Sequence, residues 1–370
     1  MSQLFSSYAL GSLQLKNRIV IAPMCQYSAN NGEASHWHLM HLGQMATSGA
    51  GLLILEATAV SPEGRISPQD LGLWSDATEE ALARTIQAIR QYSQMPIGIQ
   101  LAHAGRKASS HTPWNGGQLM LPADGGWQTV APSAIPHLPT EPAPLELNAA
   151  DLERLLNAFA ESAKRAVRIG LNAIEVHAAH GYLLHQFLSP LANQRTDNYG
   201  GSLENRMRFP LQVVAAIQAA VPKGFPVGLR LSATDWVDGG WDLPQSIAFC
   251  QALTDMGTSF LHVSSGGLSS QQKIPLAPNY QVGFAQAVRK ATGLPTIAVG
   301  LITEAAQAEA IIASGQADCV ALARGMLFNP HWPWQAAADL QAQVEVPPQY
   351  WRSQPRDLKA LFGDARMGQR

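Results

Sequence analysis

Ile174-Glu175-Val176-His177-Ala178-Ala179-His180-Gly181-Tyr182 is a short apolar run that ends in two histidines three apart, then a glycine and a tyrosine. Such a run reads as a buried strand that delivers polar groups to its own exit, and it asks for a scaffold with a pocket over that end. Working outward, one unit repeats along the chain: an apolar or β-branched run, a loop rich in Gly, Pro or polar residues, then a longer amphipathic segment. The apolar runs are Arg18–Pro23, Leu52–Val60, Ile97–Ala102, Ala173–Ala178, Val227–Leu231, Phe260–Ser264, Thr296–Val299 and Cys319–Ala323, which makes eight candidate strands. Between and after them the spacing predicts helices around His38–Ser48, Asp76–Tyr92, Ala150–Ile169, Glu204–Ala220, Leu243–Met256, Tyr280–Ala291, Glu304–Ala313 and Pro333–Gln343. The helix near Ala150 is the clearest: Leu152, Leu155, Leu156, Phe159, Ala163 and Ala166 recur at steps of three or four, and Asn148 stands where an N-cap belongs.

Alternating strands and helices with continuous apolar strands imply a parallel sheet covered on both faces, and eight units favour a closed (β/α)8 TIM barrel over an open sheet. No Gly-x-Gly-x-x-Gly follows the first strand, which weakens a dinucleotide fold. Residues 111–144 carry many Pro, Gly and Trp without a helical period, so they read as a lid-like excursion between strands three and four. A single domain over residues 1–352, followed by a tail at 353–370, is the expected organisation.

Composition narrows the function. The 370 residues are 46% hydrophobic and 14% charged, with 25 basic against 27 acidic side chains and a formal net charge of −2, unlike a nucleic-acid surface. No apolar run approaches the roughly 20 residues that span a bilayer, and Met1-Ser2-Gln3-Leu4-Phe5 does not read as a secretory signal. Cys25, Cys250 and Cys319 are far apart and odd in number, which suits a reducing compartment. A cytoplasmic enzyme with a small-molecule substrate is expected, with neither nucleic acid nor membrane as partner.

In a barrel of this kind the reacting groups come from the C-terminal ends of several strands. Those ends hold Pro23-Met24-Cys25-Gln26-Tyr27, Glu56-Ala57-Thr58, Gln100 to His103, His177 to Tyr182, Arg230, Ser264 to Gly267, Gly300 and Ala323-Arg324. Cys25 alone is more often a buried hydrophobe than a reactive thiol, and His103 reads as structural. Arg230 is harder to dismiss, since an arginine inside an apolar run needs a counter-group and an anionic ligand supplies one. Gly300 and Arg324 end strands seven and eight, where barrels commonly hold phosphate. For His177 and His180 three readings stand level: two metal ligands lacking an evident third, two structural histidines, or two donors aimed at one oxygen with Tyr182 as a proton donor.

The run His177-Ala-Ala-His-Gly-Tyr-Leu-Leu-His-Gln-Phe-Leu-Ser-Pro190, continuing through Asn193-Gln-Arg-Thr-Asp-Asn-Tyr-Gly-Gly-Ser-Leu-Glu-Asn-Arg206, closely resembles the old yellow enzymes, FMN-dependent ene-reductases on a TIM barrel. Ala22-Pro-Met-Cys-Gln-Tyr27, Gln100-Leu-Ala-His-Ala-Gly-Arg-Lys107, Ala298-Val-Gly300 and Ala323-Arg324 extend the resemblance, which runs from about Leu4 to Arg352. Cys25, Tyr27, Ala57 and the His-x-x-His spacing resemble the bacterial thermophilic-like branch that includes xenobiotic reductases.

The resemblance implies bound FMN, NADPH as the hydride donor with NADH as the alternative, and activated alkenes (enones, enals) as substrates, nitro compounds being a further class. It implies that His177 and His180 hold the substrate oxygen, that Tyr182 protonates the α-carbon, and that Tyr27 helps bind substrate. Pro23, Met24, Cys25, Ala57, Gln100, Arg230, Gly300, Ala323 and Arg324 fall at the family's cofactor-binding positions, Cys25 beside the reactive edge of the flavin, Gln100 and Arg230 at its pyrimidine side, and Gly300 with Arg324 at the phosphate. No metal is implied. Gln349-Tyr-Trp-Arg352 matches a segment that reaches a neighbouring subunit's site in some relatives, which implies a homodimer or a homotetramer of dimers.

Overall fold

Each of the eight apolar runs forms a strand, and the strands close on one another in chain order. In the computed structural model, which describes residues 2–363 and 365, β1 (Ile19–Ile21), β2 (Leu52–Ala59), β3 (Ile97–Ala102), β4 (Ala173–Ala178), β5 (Val227–Ser232), β6 (Leu261–Ser264), β7 (Thr296–Ala298) and β8 (Cys319–Leu322) make a closed barrel. Every pairing round it is parallel. All residues of the eight strands are buried, which is why their sequences are continuous apolar runs rather than alternating ones. This is the (β/α)8 TIM barrel expected from the sequence.

The helices lie within a few residues of their periodic segments. Asn148 caps Ala149–Ile169 by accepting from the Ala150 and Asp151 N–H groups at 2.9 and 3.1 Å, while Asp151 accepts from the Asn148 N–H. Two short helices, Leu183–Leu188 and Arg324–Phe328, follow β4 and β8 closely and are too brief to show a period. Among the described residues no helix is long and apolar enough to cross a membrane.

Both ends of the chain serve the barrel's N-terminal face. Antiparallel strands Tyr8–Leu10 and Leu13–Leu15, which periodicity missed, place Leu10 and Leu15 in the barrel-interior cluster with Val20, Leu52, Ile54 and Ile297. That hairpin stoppers the N-terminal end of the barrel. The described part of the tail, residues 353–363 and 365, packs on the chain before it: Leu361 and Phe362 lie against Val344, Val346 and Ala337, and Gln354 accepts from the Phe362 N–H at 2.9 Å. With Trp351 it borders a cavity of about 560 Å³ whose other wall includes Asn17, Gly51 and Pro96, residues that precede β1, β2 and β3.

Candidate active site

β4 ends by delivering three rings to one place. The rings of His177 and His180 are 5.3 Å apart and those of His177 and Tyr182 are 5.0 Å apart, both in edge-on contact. The Ala179 N–H donates to Nδ1 of His177 at 3.3 Å, so the proton of the neutral ring sits on Nε2. Nε2 of His180 lies 2.8 Å from the Ser264 hydroxyl, and the His180 main-chain N–H donates to Ser232 Oγ at 2.9 Å. Burial, reinforced by the charge of Arg230, holds both imidazoles well below the ordinary histidine pKa, so both are neutral near pH 7. Burial also pushes the Tyr182 phenol well above its usual value, which keeps its proton in place.

The backbone makes this turn possible. His180 adopts φ +57° and Gly181 φ +75°, and a Cβ on Gly181 would stand 2.2 Å from the Gly267 carbonyl oxygen. The loop after β4 therefore rests directly on the loop after β6. Lys107 ties the two together, donating to the His180 and Gly267 carbonyl oxygens at 2.9 and 3.0 Å, with Nζ 5.0 Å from the centre of the Tyr182 ring. Gly181→Ala should lower unfolding stability by about 3 kcal/mol through left-handed strain plus overlap with backbone, and an unchanged urea midpoint would show that this close approach is absent.

Beneath the rings lies a polar floor. Arg230 sits in register between His177 of β4 and His262 of β6, 7% exposed, and its Nε is buried without a hydrogen-bond partner. Burial pulls its pKa down, and Glu175 is the leading charge that opposes this. Gln100 donates from Nε2 to Glu175 Oε1 at 2.6 Å, and His262 Nδ1 meets Glu175 Oε2 at 2.8 Å. An orphaned guanidinium N–H at the top of this floor suits an acceptor-rich or anionic ring laid on it.

The remaining predicted residues line the sides. Pro23, Met24, Cys25 and Tyr27 follow β1 directly, and Tyr27 takes φ +49° and packs edge-on against Trp114 with ring centres 5.6 Å apart. Burial raises the Cys25 thiol well above its usual pKa, with Asp70 and Glu56 adding to it, so it is a thiol and not a thiolate. Ala57, 7% exposed, follows a register shift between β2 and β3. Ala323 and Arg324 follow β8, and Gly300 follows β7 with φ +122°. Segment 111–144 supplies His111, Pro113, Gln118, Leu119, His137, Leu138 and Glu141 to a cavity of about 320 Å³ whose inner wall is Tyr27, Arg106 and Lys107. His103 accepts the Gly105 N–H at Nδ1 at 3.0 Å while its buried Nε2 has no partner, and burial holds its pKa at about 4.

Arg352 is the one site residue not gathered here. It is exposed, next to Trp351 on the barrel's N-terminal side, away from its own chain's rings.

Four residues escaped the sequence reading. Glu175 and His262 are charged or ionisable groups inside continuous apolar strands, the same signal that singled out Arg230, and Glu175 stands two residues before His177 and so on the same face. Lys107 and Ser264 lie within stretches already marked, but nothing local shows whom they touch. Among the described residues, no group of three or more His, Cys, Asp or Glu is arranged to hold a metal ion.

Comparison with known proteins gives the family and the fold. The model of the NADH:flavin oxidoreductase / NADH oxidase family matches residues 3–343. The NADPH dehydrogenase of Geobacillus thermodenitrificans (strain NG80-2) is 43% identical over 351 residues, covering 94% of this chain and 98% of that one. The NADPH dehydrogenase of Listeria innocua serovar 6a is 43% identical over 355 residues, covering 95% and 99%. Among solved structures, morphinone reductase superposes with a TM-score of 0.76 at 30% identity over 94% of this chain and 91% of that one. The old yellow enzyme homologue from Zymomonas mobilis gives 0.75 at 26% identity, over 99% and 100%. With its barrel, its orphaned floor arginine and its full-length relatives, the chain belongs to the NADH:flavin oxidoreductase / NADH oxidase family, as an FMN-dependent NADPH dehydrogenase of the old yellow enzyme type.

Proposed function

We propose that the enzyme reduces activated alkenes, enones and enals first and nitro compounds as a second class, with His177 and His180 as substrate anchors and Tyr182 as the acid. The observation that carries this reading is the convergence of two neutral imidazoles and a protonated phenol above Arg230, whose buried Nε has no partner. Arg230 and Gln100 would hold the pyrimidine side of FMN, Gly300, Ala323 and Arg324 its phosphate, and Pro23, Met24, Cys25 and Ala57 its other edge. Bound FMN supplies the chemistry of taking a hydride from NADPH, or NADH, and passing it to the β-carbon of the alkene.

The protein's part is to hold charge and a proton. As the β-carbon is reduced, negative charge grows on the substrate's carbonyl or nitro oxygen, and two fixed N–H donors there act as an oxyanion hole. His177 has its Nε2–H free for this, because Nδ1 is taken by Ala179. His180 can donate from Nδ1 only in the tautomer whose Nε2 accepts from the Ser264 hydroxyl, which is also within 3.4 Å of Gln281 Oε1. Tyr182 then protonates the α-carbon, with the Lys107 cation near its ring to ease the loss of that proton. Tyr27 and Trp114 confine the substrate from the side of the 111–144 segment, which works as a lid.

Anaerobic NADPH should bleach the yellow protein, and cyclohexenone should restore the colour. A flavin-loaded protein that bleaches but is not recoloured by any enone would refute alkene reduction. Cys25→Ser should shift the flavin's reduction potential more than its affinity for FMN, because the neutral thiol lies on the proposed reactive side; an unchanged potential returns Cys25 to a packing role. A cytoplasmic location is favoured by three unpaired cysteines. A homodimer or a homotetramer of dimers is favoured by Arg352, which is exposed away from its own pocket and thus free to serve a neighbour's.

A further inference from the structure

The pocket floor holds a carboxylate that the proposed reaction does not use. Glu175 is 1% exposed and both of its oxygens are engaged, one by the Gln100 carboxamide at 2.6 Å and one by His262 at 2.8 Å. Burying a carboxylate costs several kcal/mol unless donors and cations offset it. Burial alone would raise the pKa of Glu175, yet His262, Arg230 and Gln100 together hold it below the usual carboxylate range, so the group is an anion. Burial and Arg230 lower the pKa of His262, which leaves the ring neutral, donating from Nδ1 to Glu175 with its buried Nε2 unpartnered.

Two consequences meet at Glu175. A carboxylate only accepts, so the group of Gln100 that faces it must be the NH2, and the amide oxygen is turned the other way. Glu175 is also the leading countercharge felt by Arg230, although no direct ion pair joins them. An arginine shadowed by an anion presents less positive charge to whatever lies on it.

We infer that Glu175, oriented by His262, is a positioning residue of the flavin site that fixes the Gln100 carboxamide and tempers the charge of Arg230, and so sets how far the protein favours reduced over oxidised FMN. This rests on the placing of Gln100 and Arg230 against FMN given above. A cluster that merely cements the barrel interior would affect folding stability but not this preference.

The test uses the holoenzyme and reads the flavin's midpoint potential alongside its affinity for oxidised FMN. Glu175→Gln keeps the volume and removes the charge. It should raise the ratio of reduced to oxidised FMN affinity roughly tenfold, a positive shift of about 30 mV for a two-electron couple. Glu175→Asp, which keeps the charge, should stay near wild type. A folded, flavin-loaded Glu175→Gln with wild-type potential overturns the inference and leaves the flavin reading standing, whereas a wild-type protein that takes up no FMN overturns that reading instead. Should Glu175→Gln not fold, His262 decides. His262→Gln retains a donor to the carboxylate and should keep the potential, His262→Leu removes the donor so that the buried Glu175 takes up a proton and the potential should rise, and equal potentials in the pair overturn the inference.

Discussion

Tyr182→Phe is expected to slow enone-driven reoxidation of the flavin by about 10²- to 10⁴-fold, the usual worth of a positioned general acid, while reduction by NADPH stays nearly unchanged. The phenol is half-buried, its pKa is driven upward, and its ring lies against His177, so it meets the pocket as a neutral donor. Phenylalanine keeps the ring contact and the packing on Lys107, which leaves the missing proton as the difference. Rapid-mixing measurements of the two half-reactions separate these steps. Equal losses in both would mean that Tyr182 shapes the pocket rather than supplying a proton.

His177→Ala should lower kcat/KM for an enone by about 10²- to 10³-fold, or about 3–4 kcal/mol of transition-state stabilisation, as loss of one oxyanion donor does elsewhere. The loss should fall on alkene reduction far more than on the NADPH step, since only the alkene develops charge on an oxygen held there. The pH profile gives an independent check. Burial holds His177 and His180 well below the ordinary range, so neither ring gains a proton as pH falls through about 6.5, and enone turnover should carry no histidine limb there. An acid limb near that pH, absent in His177→Ala, would mean the ring works in its charged form.

How much of this was legible in the sequence follows from how far apart the interacting groups lie. Strands such as Ile97–Ala102 and Ala173–Ala178 announced themselves because a parallel barrel buries both faces of every strand, so each run is apolar throughout. Asn148 was readable because a cap acts within three residues of itself. His177, His180 and Tyr182 stand in one short segment, and the family resemblance then chose among three roles that spacing left level. The floor was not legible in this way. Glu175 finds His262 across 87 positions and Gln100 across 75, and only the barrel's register brings them together. Arg230 carries the same signal, an ionisable group inside an apolar strand, but that signal alone does not say which partner a buried Glu or His meets. The described part of the tail shows no period of its own, and its cluster forms against Ala337, Val344 and Val346.

The segment 111–144 lies outside the repeating unit of the barrel: it contributes no barrel strand, yet it walls the 320 Å³ cavity and sets Trp114 on Tyr27. On the proposed assignment, reacting groups and substrate wall are thus carried by separate stretches of chain. Insertions, deletions and loop exchanges in that segment can reshape which molecules enter, while the histidines, the acid and the floor keep their places, so new substrate ranges are open to this enzyme by loop replacement alone.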